Sequence, residues 1–117
     1  MIIVGRAHAV PAVDISDGDT VVNVKKRVLI GPEQGAPNFI MRLFTLVEGG
    51  FSPYHKHPWE HELFVLSGEG IVKGCDGETP VSAGDFIFVP PNEEHQFQSS
   101  GKEPFEFLCI IPKGEEG

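Results

Sequence analysis

The chain has 117 residues, 40% of them hydrophobic and 22% charged, which is the composition of one globular domain and excludes a disordered chain. Its formal charge of −8 argues against a nucleic-acid partner, because phosphate binding depends on clustered Lys and Arg. Two cysteines are too few for a disulfide framework, and neither a leader nor an apolar run of the roughly 18 residues of a membrane span is evident. We therefore expect a single domain over 1–117, no membrane partner and a cytoplasmic location.

Short runs rich in Val, Ile and Phe alternate with glycine- and proline-rich turns, and no segment shows a helical period of useful length. This pattern is typical of an all-β antiparallel sandwich or barrel rather than of a parallel sheet with helices. The barrel core is expected at about 20–112, with 113–117 as a solvated tail. The predicted strands cover 20–30, 38–47, 51–56, 61–67, 70–74, 79–82, 85–89, 93–99 and 104–111.

Two of these strands, 38–47 and 104–111, are apolar on nearly both faces. Such a strand lies at the centre of a two-sheet sandwich, or has one face in the core and the other in a dimer interface. The N-terminal segment 1–19 has no evident place of its own in the pattern. Together these features favour a homodimer with exchanged edge strands.

The stretch HKHPWEHE, residues 55–62, holds three of the five histidines. His55 and His57 are two residues apart, so in an extended strand both project from one face and can share one ion. Pro58 suits a turn that returns the next group to the same point. That group is His61 or one of its acidic neighbours, Glu60 and Glu62.

A fourth histidine, His95, follows 34 residues after His61, where a closing sheet can bring it opposite the first three. The pattern as a whole predicts a metal site rather than scattered surface histidines. Imidazole suits several divalent transition metals, so ligand type alone does not identify the ion. His8, the remaining histidine, is interpreted as an ordinary surface residue.

The wall of a substrate pocket can be predicted from strand parity. On the last predicted strand Phe107, Cys109 and Ile111 share an inward face, and Phe97 shares the face of His95. Phe105 has the same parity and is interpreted as a core residue. Two polar candidates complete the set: Trp59 as a rim residue, and Arg42, which could anchor a carboxylate. The predicted pocket residues are Arg42, Trp59, Phe97, Phe107, Cys109 and Ile111.

Two motifs in this chain resemble those of the cupins, small antiparallel jelly-roll barrels (double-stranded β-helices). The first cupin motif has Gly, five residues, His-x-His, then Glu and a closing Gly, and this chain has Gly49, His55, His57 and Gly68 in those places. The second has Gly, five residues, Pro-x-Gly, two residues, His, three residues and Asn. Gly84, Pro90 and His95 match it, whereas Asn92 and Ser99 occupy the Gly and Asn positions.

Within the family the chain is similar to very small single-domain cupins whose ion, usually manganese, is held by four histidines. This resemblance implies His55, His57, His61 and His95 as ligands of one divalent metal per chain, manganese first, with Fe, Ni, Zn, Cu and Co as alternatives. The family's glutamate position falls on His61 with three spacer residues and on Glu62 with four. Counting back from Gly68 favours His61. The phrases that carry the resemblance lie at 26–31, 36–45, 55–62, 64–66, 91–97 and 107–113.

A four-histidine site leaves coordination positions open for dioxygen or a peroxide, which favours a metal-dependent oxidoreductase that acts on a small organic substrate. A metal-dependent isomerase or decarboxylase is the nearest alternative, and a non-catalytic small-ligand-binding or sensor protein belongs to a different class. The family spans all of these, so its fold does not discriminate between them. The sequence shows no Ser-His-Asp arrangement and no general base that would decide the matter, and whether the protein is an enzyme stays open at this stage.

Overall fold

Strands account for most of the chain in the structure, a computed structural model that describes residues 1–114. The residues of the predicted tail beyond 114 lie outside this range. Among the described residues no helix is long and apolar enough to cross a membrane. In chain order the elements are a 3-10 turn (Ala7–Ala9), β1 (Val13–Asp14), β2 (Val22–Ile30), a second 3-10 turn (Pro32–Gln34), β3 (Phe39–Phe51), β4 (His61–Ser67), β5 (Glu69–Gly74), β6 (Gly77–Ser82), β7 (Phe86–Val89), β8 (His95–Ser99) and β9 (Phe105–Pro112).

Antiparallel pairing joins the strands into one curled sheet with the order β6-β5-β8-β3-β9-β4-β7, and β2 and β1 extend it from β3. Strands far apart in sequence become neighbours: β9, the last strand, lies between β3 and β4. This connectivity curls the sheet around a core on its inner face. The predicted all-β jelly-roll fold is confirmed.

Alternation along β4 and β9 separates the core from the outer surface, as strand geometry requires. In β9 every second residue, from Phe105 to Ile111, is no more than 2% exposed, and the residues between them are half-buried. In β4, His61, Leu63 and Val65 are buried while their neighbours point outward. The same alternation therefore places His61 and Cys109 on the inner face.

Strand β5 packs closely against Phe105 of β9, which is fully buried. Its ring lies against Gly70 of β5, where an added Cβ would come within 2.3 Å of the ring atom Cε2. No larger residue fits at this position without moving the ring or the strand. Gly70 thus sets how closely β5 approaches the core.

The strand boundaries differ from the prediction around residues 47–56. The turn predicted at Glu48–Gly50 is not formed, since β3 continues through it to Phe51 and stays paired with Val22 of β2. Gly49 adopts φ +79°, which bends the strand in the manner of a β-bulge without ending it. Of the strand predicted at 51–56, Phe51 ends β3 and residues 52–56 form a loop with one isolated bridge at His55.

The N-terminal segment lies on the outer face of the sheet. Arg27 Nε of β2 donates a hydrogen bond to the carbonyl of Val10 at 2.9 Å. His8, predicted as a surface residue, is exposed, and its Nε2 lies 3.0 Å from Glu106 Oε1 of β9. The first four residues, Met1–Val4, remain exposed apolar side chains.

Candidate metal centre

Four histidines meet where β3, β4 and β8 approach one another. His61 is the first residue of β4 and His95 the first of β8, whereas His55 and His57 lie in the loop that follows β3. Two backbone hydrogen bonds pair His55 with His95, at 3.1 and 2.9 Å. The N–H of Asn92 donates to the carbonyl of His57 at 2.8 Å. The backbone thus fixes the loop even though it is not a regular strand.

Asn92 itself adopts φ 65°, in the left-handed region that favours glycine. It occupies the position at which the cupin motif has glycine, and Asn is among the few other residues that enter this region readily. This conformation turns its N–H toward the loop that holds His57. The departure from the motif therefore preserves the turn.

Three imidazole rings converge on a common point, and the ring of His61 lies against two of them. Ring centroids of His55, His57 and His95 lie 4.9 to 5.0 Å apart, and their ligand nitrogens all fall within 4.8 Å of one another. His61 joins this group through His57, since the two Nε2 atoms are 2.9 Å apart, and its ring lies 5.1 Å from that of His95. The structure therefore brings together the four predicted histidines.

Three of the rings have an acceptor beside Nδ1. His95 Nδ1 lies 2.8 Å from the carbonyl of Glu93, His57 Nδ1 lies 3.4 Å from the carbonyl of Trp59, and His61 Nδ1 lies 3.0 Å from Cys109 Sγ. These acceptors favour the tautomer in which Nδ1 carries the hydrogen and donates it. Nε2 then presents its lone pair, which is how metal-binding histidines are usually oriented.

Burial keeps these imidazoles neutral. Desolvation, followed by the neighbouring histidines, lowers the pKa of His61 to about 3 and that of His55 to about 4. Although His55 as a residue is exposed, its ring packs against two other rings. Desolvation also lowers the pKa values of His57 and His95. At neutral pH all four are available as ligands.

The donor set fits a metal ion. With hydrogens on both Nδ1 atoms, the Nε2 atoms of His57 and His61 would direct lone pairs at each other across 2.9 Å. A cation between them removes that repulsion. Two nitrogens bound at about 2.1 Å and at right angles lie about 3 Å apart, which is close to the separation seen here.

Glu62 lies away from the imidazoles. It is exposed and lines a groove on the outer side of the sheet, because it follows His61 directly and alternation turns it to the other face. Glu60, its other acidic neighbour, is half-buried at the end of the loop. Of the two alternatives for the glutamate position, the inward one is therefore His61.

The histidines form part of the wall of a cavity of about 350 Å³, large enough for a small organic molecule. Of the predicted pocket residues Arg42, Trp59, Phe97, Phe107 and Cys109 line it. Ile111 does not: it is 2% exposed and packs within the hydrophobic core one step further along β9. The wall is thus largely apolar, and Arg42 and Lys26 are its charged residues besides the histidines.

Sequence reasoning missed other lining residues, which lie on β2, on β3 and in the loops next to them. Phe44 and Leu46 share the parity of Arg42, so the rule applied to the last strand would have found them on β3 as well. The remaining lining residues could not be predicted from strand parity, because their place in the cavity wall depends on which strands become neighbours in the sheet. The further lining residues are Ile15, Val21, Val24, Lys26, Phe44, Leu46, Ser52 and Pro53.

Comparison with known proteins agrees with this architecture. The cupin-2 family model, described as a cupin domain, matches residues 42–111. The solved structure of the polyketide cyclase RemF from Streptomyces resistomycificus is 30% identical with a TM-score of 0.87, and the alignment covers 96% of this chain and 80% of that one. Structural similarity and sequence identity thus agree on the fold over nearly the full length of the chain.

Two curated proteins are similar over shorter stretches. The oxalate-binding protein of Thermotoga maritima is 35% identical over 74 residues, which are 60% of this chain and 61% of that protein. Gentisate 1,2 dioxygenase 1 of Aquipseudomonas alcaligenes is 28% identical over 98 residues, which are 76% of this chain and 28% of that protein. The chain thus spans less than two-thirds of the length of either.

Proposed function

The chain belongs to the cupin-2 family, and on that premise we propose a metal-dependent oxidoreductase that uses dioxygen or a peroxide to oxidise a small organic substrate. The observation that carries the proposal is the cluster of four neutral imidazoles on the wall of a largely apolar cavity of about 350 Å³. The 28% identity with a dioxygenase gives additional support.

One divalent transition-metal ion per chain is the proposed cofactor, with His55, His57, His61 and His95 as its ligands. Manganese is the ion implied by the resemblance to the small four-histidine cupins, and Fe, Ni, Zn, Cu and Co also suit imidazole. When bound, the ion would supply Lewis acidity and a site for the oxidant. Four neutral ligands would leave the ion its full positive charge.

The chain itself positions and shields the substrate. Phe97 and Phe107 form an apolar wall next to His95, with ring centroids 5.6 Å apart for His95 and Phe97. This wall favours an aromatic or otherwise apolar substrate and excludes water from the reacting atoms. With dioxygen both oxygen atoms enter the product, whereas a peroxide transfers one oxygen atom and releases the other as water or an alcohol.

A second candidate is a metal-dependent reaction without net oxidation, such as an isomerisation, a decarboxylation or a ring closure. The 30% identity and TM-score of 0.87 with the polyketide cyclase favour it. A non-catalytic ligand-binding or sensor protein is the third, and the similarity to the oxalate-binding protein favours that one. The same cavity and donor set serve all three.

Oxidant consumption distinguishes these candidates. Protein purified without added metal is analysed for its elements, reloaded with manganese or iron, and supplied with dioxygen or hydrogen peroxide and a panel of aromatic substrates. An oxidoreductase consumes oxidant in proportion to product, and the His95→Ala variant does not. Substrate conversion without oxidant consumption favours the second candidate. Binding without conversion across the panel favours the third.

We also propose a homodimer, in which a second copy covers the outer face of β4 and β7. That face exposes Phe64, Phe86 and Phe88, which border a groove with Leu108 and Ile110. The same chain also exposes the apolar segment Met1–Val4. A two-fold axis would let each copy's segment cover the aromatic face of the other, and β7 is a sheet edge open to pairing.

A cytoplasmic location is part of the proposal. Its support is that the exposed residue Cys75 forms no disulfide. Reducing compartments keep such thiols from forming disulfides. Cell fractionation with a specific antibody would test the location.

A further inference from the structure

Arg42 is a charged side chain inside the barrel. It lies on β3 in register with Cys109 of β9 and is only 8% exposed. Burying a guanidinium is costly unless an anion and hydrogen-bond acceptors compensate it. The contacts of Arg42 therefore indicate whether the fold supplies that compensation.

The described residues supply little compensation for the buried charge of Arg42. Arg42 Nη2 lies 3.0 Å from Cys109 Sγ, and the guanidinium carbon lies 4.9 Å from the ring centroid of Phe44. Nε is buried and has no hydrogen-bond partner. Within residues 1–114 no carboxylate lies within salt-bridge distance of Arg42, the recorded ion pair being His8 with Glu106. The Nε–H group thus lacks an acceptor, and the acceptor beside Nη2 is a thiol, which accepts hydrogen bonds only weakly.

A second unsatisfied donor belongs to the same cavity. Trp59 Nε1 is buried without a partner, and Trp59 lines the cavity together with Arg42. Its indole stacks on His57 with ring centroids 4.2 Å apart. Both groups are donors, so what the cavity lacks is an acceptor that carries negative charge.

Arg42, whose buried charge lacks an anionic partner among the described residues, lies close to the candidate metal centre. One thiol separates the guanidinium from His61, since Cys109 Sγ is 3.0 Å from each. Most of the nearby wall is apolar, with Phe44, Phe97 and Phe107, and Lys26 of β2 adds a second cationic side chain to the lining. Low polarity around the guanidinium strengthens its attraction for an anion that enters.

We propose that Arg42 is the carboxylate-binding residue of the cavity, and that the ligand is an aromatic or apolar carboxylic acid whose body lies along the phenylalanine wall. The inference deepens the proposed function, on which it rests for the chemistry but not for the binding. The bound carboxylate compensates the buried charge of Arg42 and orients the acid beside the histidines. Arg42 thereby selects acids over their neutral analogues.

The test uses benzoate and benzamide, which share a ring and differ in charge. Each is titrated by calorimetry into metal-free protein, so that direct binding of the carboxylate to an ion does not contribute. We expect benzoate to bind about ten- to a hundredfold more tightly than benzamide, the range of a hydrogen-bonded charged pair. Equal affinities, or no benzoate binding at millimolar concentration, would overturn the proposal.

Two arginine variants locate the effect. Arg42→Gln removes the buried charge and should abolish the preference for benzoate. Arg27→Gln is the matched control, because Arg27 holds the N-terminal segment through the Val10 carbonyl and does not line the cavity. A preference that survives Arg42→Gln, or disappears equally in both variants, contradicts the assignment.

A measurement on the unmodified protein covers the case in which Arg42→Gln does not fold. The Nε–H resonance of Arg42 should shift when benzoate is added and stay in place with benzamide. No shift with benzoate would overturn the proposal. The result is separable from the proposed oxidation. If the metal-loaded protein oxidises neutral substrates but does not bind benzoate, only the role of Arg42 is contradicted. If the protein binds benzoate but takes up no metal, only the proposed oxidoreductase activity is contradicted.

Discussion

His61 and Cys109 contact each other inside the barrel, across the neighbouring strands β4 and β9, with His61 Nδ1 3.0 Å from Cys109 Sγ. The sulfur accepts a second hydrogen bond from Arg42 at 3.0 Å. A cysteine in an apolar wall is usually only a small core residue. Here it also fixes the orientation of His61, the proposed ligand for which the sequence offered Glu62 as an alternative.

Loss of the Cys109 thiol should weaken metal binding. Cys109→Ala leaves His61 Nδ1 without its acceptor, and changes of this kind typically cost about ten- to a hundredfold in metal affinity. Competition with a chelator measures the effect. Cys75→Ala is the control, because Cys75 is exposed and outside the cavity. Identical affinities for the two variants would contradict the role of Cys109.

His61→Ala should lose most of the bound metal, whereas Glu62→Ala should retain it. His61 points into the barrel and Glu62 lies on the opposite face of the same strand. Elemental analysis of both variants, purified in parallel without added metal, gives the metal content per chain. A metal-free Glu62→Ala together with a loaded His61→Ala would refute the ligand assignment.

The metal-free protein should lose stability as the pH falls. Burial lowers the pKa of His61 to about 3 and of His55 to about 4, so the unfolded chain takes up protons first, near its ordinary value of about 6.5. The contribution of these histidines to the free energy of unfolding is complete above about pH 6.5 and is lost as the pH falls toward the folded-state values. Urea unfolding with a chelator at several pH values measures it, and a free energy that stays constant from pH 7.5 to 5 would exclude this linkage.

Gly70→Ala should destabilise the fold by about 1–3 kcal/mol, the usual cost of overpacking a core. The added Cβ would lie 2.3 Å from Phe105 Cε2 and 2.7 Å from the carbonyl oxygen of Gln98. Gly74→Ala, on the same strand, is the matched control because its Cβ would meet only an oxygen of Glu94 at 3.8 Å. Thermal melting compares the two, and equal melting temperatures would show that β5 can move away from the core.

Phe86→Asp should convert the proposed homodimer to monomers. Phe86 is 83% exposed on the edge strand β7, and a charge there opposes burial against a second copy. Val13→Asp is the control, since Val13 is also exposed but lies on β1, away from that face. Sedimentation at micromolar concentration measures the mass. A wild-type protein that sediments as a monomer removes the proposal.

The sequence by itself determined the fold class, the inner and outer faces of the strands, and the identity of the histidines that meet. Period-two alternation and the cupin spacing are local properties, and they identify His55, His57, His61 and His95 as candidate ligands, whereas the approach of His95 to the other three depends on long-range pairing. The continuation of β3 through Gly49 was not predictable in this way, because pairing with β2 outweighed the turn signal of the glycines.

Only the tertiary structure decided what surrounds the histidines. The register of β9 between β3 and β4 brings Cys109 against both His61 and Arg42, and no spacing in the sequence encodes that contact. It also decided that Ile111 belongs to the core and that Arg42 is buried without a carboxylate among the described residues. Charge compensation and cavity shape depend on which distant strands become neighbours, and that is fixed when the sheet closes.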